Sequence, residues 1–126
     1  MESYLFAAGC LSLALGLIHS VLGEILIFKR MRTGGIIPTN GHPILQERHV
    51  RILWASWHLV TIFGWGLGAI LLRYSALNSE SSNQLFIENT ILVSMLSGAF
   101  LVFVSTKGKH PGWVVLLAIA ILLAIS

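Results

Sequence analysis

Apolar residues run almost unbroken through four segments, about Tyr4 to Phe28, Ile52 to Leu72, Leu85 to Ser105 and Pro111 to Ser126. Crossing a hydrocarbon core of about 30 Å takes roughly 20 residues of helix, and the first three runs meet that length. The fourth, from Pro111 to Ser126, is somewhat short at about 1.5 Å of rise per residue. It predicts local thinning of the bilayer, a deep-set end or an imperfect span. The pattern therefore predicts an all-α fold, a four-helix transmembrane bundle in which residues 1–126 form a single integral membrane domain.

Polar positions define the connections. Residues 33–43, Thr-Gly-Gly-Ile-Ile-Pro-Thr-Asn-Gly-His-Pro, are dense in turn-formers and predict irregular backbone. From Ile44 to Arg51 the chain can already be helical, so the second helix is expected to begin outside the membrane. The stretch from Asn78 to Gln84 predicts a polar, flexible loop. Gly9, Gly16 and Gly23 recur every seven residues, with Ser12 and Ser20 beside them. Thr90, Ser94, Ser97 or Gly98, Leu101 and Ser105 make a similar face on the third helix. Such small-residue stripes let membrane helices approach closely.

Composition supports the membrane reading. The chain is 56% hydrophobic and only 10% charged, and it contains no aspartate, whereas soluble domains carry roughly 25% charged residues. Its basic residues cluster: Lys29, Arg30, Arg32, Arg48 and Arg51 border the first connection, and Lys107 and Lys109 the third. Excess Lys and Arg marks cytoplasmic loops. The expected topology has loops 29–51 and 106–110 in the cytoplasm, both termini on the outer side, and a plasma (inner) membrane location. The start, Met-Glu-Ser-Tyr, lacks the basic region of a cleaved signal peptide. Cys10 stands alone, which excludes an internal disulfide or a CxxC centre.

Candidate chemistry lies inside the apolar runs. His19 and Glu24 fall in the first and His58 in the second, and ionisable groups at bilayer depth are costly enough to mark a functional site. If the first two helices are antiparallel neighbours, as consecutive spans usually are, His19 and His58 lie level, roughly 15 Å below the cytoplasmic edge. Glu24 would then come within reach of Arg51. Arg51, Trp54 and His58 follow i, i+3, i+7 on one face of the second helix.

Three readings follow. The first is a haem b or divalent-metal site between helices 1 and 2. His19 and His58 would be axial ligands, with Gly16 and Gly23 leaving room for a flat macrocycle and Arg51 and Trp54 beside it. In the metal variant His19, His58 and Glu24 supply three ligands. The second is a small, homodimeric ion- or proton-coupled transporter or channel, since Glu24 and His19 can both titrate. The third is a structural accessory subunit of a larger membrane complex. The plainer alternatives are a register-fixing Glu24–Arg51 ion pair and interhelical hydrogen bonds from the two histidines. No nucleophile has a base partner at a defined spacing, so nothing points to an enzyme. The basic residues sit at membrane edges, which leaves the lipid bilayer, and not nucleic acid, as the expected partner.

Overall fold

The computed structural model describes residues 2–76 and 80–125, and these are all-helical apart from connections and one isolated bridge between Gly41 and Leu45. Helix α1 spans Glu2–Leu26 and runs into a short 3₁₀ turn, Phe28–Met31. Helix α2 spans Glu47–Ala76, α3 Glu80–Thr106 and α4 Gly112–Ile125. Residues 77–79, part of the expected outer loop, lie outside the described residues. The rest of that loop, residues 80–84, is already part of α3, since it contains neither Gly nor Pro to interrupt a helix. Three helices, Phe6–Leu26, Glu47–Ala76 and Leu85–Thr106, are long and apolar enough to cross a membrane. With 14 residues, α4 reaches only about 21 Å.

The helices form a row more than a closed bundle. α1 packs on α2, α2 on α3 and α3 on α4, and among the described residues no other pair of helices makes a comparable interface. Helix α2 occupies the middle by presenting small residues in two directions. Gly68 meets Leu13 and the Gly9 carbonyl of α1, while Gly66 meets Ser94 and Thr90 of α3. Positions 66 and 68 are two residues apart, so they point to nearly opposite sides of the helix. The row leaves large apolar side chains exposed along α1, α2 and α3, among them Leu15, Leu22, Val60, Leu67, Val93 and Phe100. Without water to drive burial, packing and lipid contact hold such helices instead.

The α1–α2 seam is antiparallel, and its pairs descend in register: Glu24 with Trp54, Ser20 with His58, Gly16 with Thr61, Leu13 with Trp65. The heptad glycines are seats for α2 side chains. A Cβ on Gly16 would lie 2.7 Å from Trp65 Nε1, and one on Gly23 would collide with the Trp57 indole. Each indole lies over its glycine and donates to a carbonyl about one turn earlier, Trp65 to Leu13 and Trp57 to His19, both at 3.0 Å. A side chain at either glycine would remove both the contact and the hydrogen bond.

The first connection is irregular, as its Gly and Pro content requires. It is closed upon itself: the Met31 carbonyl accepts from the backbone N–H of Thr39 and Asn40, and Thr33 and Thr39 hydroxyls bond at 2.8 Å. Pro38 is fully buried beneath it. This fold sets the position of Arg32, which decides the electrostatics of the site.

Candidate functional site

Glu24, two residues before the end of α1, is the hub. Its Oε1 accepts from Trp54 Nε1 at 2.6 Å and faces His58 Nε2 at 2.8 Å. Its Oε2 pairs with the guanidinium of Arg32. Arg32 reaches it because α1 stops at Leu26 and the 3₁₀ turn redirects the chain, and the Arg32 Nε–H is held by the Ile36 carbonyl. The carboxylate is thus surrounded by donors, as an ionic group at low dielectric must be. Phe28, buried at the turn, packs on His58 and edge-on against Trp57, and Trp54 stands edge-on to His58 at 4.8 Å.

From His58 a line of hydrogen bonds runs deeper along the seam. His58 Nδ1 lies 2.8 Å from Ser20 Oγ, Ser20 Oγ lies 2.7 Å from Thr61 Oγ1, and the Thr61 hydroxyl donates to the Gly16 carbonyl at 3.1 Å. Thr61 and Gly16 then line a small cavity of about 200 Å³ with Ser12, His19 and Gly64. The His19 ring stacks on Trp57, centroids 4.4 Å apart and 6° from parallel, and its Nε2 is buried with no partner.

The hydrogens in this line can be counted. Its ends, the Glu24 carboxylate and the Gly16 carbonyl, only accept. Four links join them, through His58, Ser20 and Thr61. A neutral imidazole and two hydroxyls supply three hydrogens, one too few. With the Thr61 hydrogen on Gly16, a complete line would have Ser20 donate to Thr61 and His58 donate to Ser20 through Nδ1, with Nε2–H facing Glu24. All four links are made when the Glu24–His58 pair holds one extra proton.

Of the residues singled out by sequence, Glu24, His58 and Trp54 come together. The expected Glu24–Arg51 pair does not form. Arg51 donates to Glu47 and to the Ser105 carbonyl of α3, and Arg32 takes its place. The depth matching had put Arg51 near Glu24, but the long Arg stem swings toward the other neighbour of α2. His19 and His58 are directed to different partners, Trp57 for one and Glu24 with Ser20 for the other. Ser20 was visible beside the glycine stripe of α1, without a sign that it links His58 to Thr61.

No protein-family model, curated protein or solved structure matches this chain.

The residues offer a poor fit to haem or a divalent metal. Both nitrogens of His58 are engaged, and the space beside Gly16 and Gly23 is filled by the indoles of Trp65 and Trp57. Among the described residues no three His, Cys, Asp or Glu side chains converge as a ligand set.

Proposed function

We propose that this chain is a small multi-pass membrane protein that binds and relays a proton within the bilayer, as the polar centre of a proton-coupled transporter or channel. The observation that carries this reading is the line Glu24–His58–Ser20–Thr61–Gly16, whose links are complete only with one extra proton bound. Intramembrane chains of carboxylate and imidazole are the usual means by which membrane proteins move protons.

The two hydroxyls give the relay a direction. When the pair loses its proton, Ser20 turns to donate to His58 Nδ1, Thr61 turns to Ser20, and the Gly16 carbonyl is released beside the small cavity. When a proton arrives, both hydroxyls turn back. His19 lines that cavity, and its buried Nε2 has no hydrogen-bond partner, so in this reading it is the next acceptor along the path. Arg32 balances Glu24, so the pair alternates between neutral and singly positive together with its guanidinium. The excess of Lys and Arg in the first and third connections favours this end lying at the cytoplasmic side of a plasma membrane, with both termini outside. The open row of helices favours two protomers covering each other's apolar faces.

The test is reconstitution into liposomes with a pH-sensitive dye inside and an imposed membrane potential. Wild type acidifies or alkalinises the lumen according to the sign of the potential, and Glu24→Gln and Ser20→Ala lose most of that flux. Flux equal to empty liposomes would overturn the proposal. ¹⁵N spectra of the imidazoles provide the second arm, reading which nitrogens of His58 carry hydrogens in wild type and in Ser20→Ala.

A further inference from the structure

A second polar feature lies apart from the proton line, where the start of α2 meets the turn between α3 and α4. A cavity of about 680 Å³ opens there, within the range of roughly 300–1,000 Å³ that holds small ligands. Four cationic side chains line it, Arg48, Arg51, Lys107 and Lys109, against one carboxylate, Glu47. His49 and His110 add two further hydrogen-bonding groups.

The walls are built. The Arg51 side chain, only 13% exposed, is anchored at both ends of its guanidinium, to Glu47 at 2.7 Å and to the Ser105 carbonyl at 3.1 Å. The opposite wall is a helix-ending turn. Gly108 N–H returns to the Phe103 carbonyl at 2.8 Å and Lys107 N–H to Val104 at 3.4 Å, a Schellman arrangement in which residue 107 takes the left-handed conformation. Glycine is the usual occupant there, yet this chain has lysine at φ 54°, which costs roughly 1–2 kcal/mol. The Trp113 indole locks the turn by donating to the Gly108 carbonyl at 3.0 Å. A cation is therefore held at the cavity mouth at a conformational cost, with Lys109 two residues on. Glu47 satisfies Arg51 and lies 3.9 Å from Lys107, while Arg48 and Lys109 form no ion pair among the described residues.

We infer that this cavity binds a phosphate-bearing anion. Two guanidiniums and two ammoniums around one concavity match the charge and the acceptor oxygens of phosphate. The N-terminus of the 30-residue α2 opens on the same space and adds a favourable dipole. The phosphate has two possible sources, a lipid headgroup at the membrane edge or a soluble phosphorylated compound. The site shares no residue with the Glu24–His58 line, so either proposal stands if the other falls.

The full chain in lipid nanodiscs tests it. One arm titrates inorganic phosphate, at constant ionic strength, into phosphatidylcholine discs; the other compares discs with and without phosphatidylglycerol. A rise in unfolding temperature with phosphate identifies a soluble ligand, and a rise with phosphatidylglycerol alone identifies the headgroup. In either case Arg48→Gln with Lys109→Gln weakens the apparent affinity by at least about tenfold, the scale expected for losing charged hydrogen bonds. Both side chains lie outside the internal ion pairs, so the double variant keeps its fold, and Lys109→Arg retains binding. An equal shift from chloride at matched ionic strength, an unchanged affinity in the double variant, or no response to either source would overturn the inference.

Discussion

Glu24 Oε1 lies 2.8 Å from His58 Nε2 while Oε2 of the same carboxylate pairs with Arg32, so one side chain of α1 joins α2 to the first connection. Glutamine in its place keeps one acceptor oxygen but turns the other into an NH2 donor, so the guanidinium loses its countercharge and one of the two donors, Arg32 or the Trp54 indole, loses its acceptor. With the side chains of Glu24 and Arg32 about a quarter exposed, Glu24→Gln is expected to cost about 1–3 kcal/mol, below the range for fully buried pairs. Chemical unfolding in detergent reads this directly. Glu24→Gln with Arg32→Gln should recover part of the loss, because the second change removes the unpaired charge. A double variant no better than the single one would mean that Arg32 contributes nothing to the pair.

Much of this seam was legible in the sequence, and what was not has a physical reason. Helical rise and the basic residues at the membrane edge put His19 level with His58 and Glu24 near Arg51, within about a turn of the observed Ser20–His58 and Glu24–Trp54 pairs, because rise per residue hardly varies in a regular helix. The glycine heptad marked the α1 face toward α2 for the same reason. Arg32 was hidden because its position depends on the irregular chain after Leu26, where no period applies. The fate of Gly16 and Gly23 was misjudged in kind: the space is for flat rings, but the rings are the chain's own Trp65 and Trp57. Whether α1 also meets α4 depends on side-chain fit around a closed ring, which periodicity does not encode.

The glycine seats make a paired prediction. Gly23→Ala drives a methyl into the Trp57 indole, whereas a methyl on Gly64 meets nothing within 4 Å. Gly23→Ala is expected to destabilise by about 1–3 kcal/mol, as overpacking does. Gly64→Ala should be neutral or stabilising by up to about 1 kcal/mol from helix propensity. Thermal unfolding of both in the same detergent decides it, and tryptophan fluorescence should change only for the first. Equal effects would mean that the seam tolerates separation.

The hydroxyl relay separates chemistry from packing. Thr61→Val keeps the shape but removes the hydroxyl that joins Ser20 to the Gly16 carbonyl. Interhelical hydrogen bonds in membranes are worth only about 0.6–2 kcal/mol, so stability should fall slightly. Proton flux in liposomes should fall at least about tenfold, as removing a positioned proton-transfer group usually costs 10²–10⁴. Thr61→Ser restores the hydroxyl and should restore flux. Full flux in Thr61→Val would leave the hydroxyl line as packing alone.

Lys107 sets stability against binding at the basic cavity. Glycine at this left-handed position relieves the strain of a side chain at φ 54°, so Lys107→Gly is expected to stabilise the protein by about 1 kcal/mol. The same change removes a cation that faces Glu47 and lines the cavity. Unfolding temperature without added anion should rise, while the further rise produced by phosphate or phosphatidylglycerol should shrink. Lys107→Asn separates the two effects, since asparagine tolerates the left-handed conformation better than lysine but carries no charge. It should give a smaller gain in stability with the same loss of anion response. If the anion response survives both substitutions, Lys107 is only the end of a helix; if it falls in both, the strained lysine is held in place for the ligand.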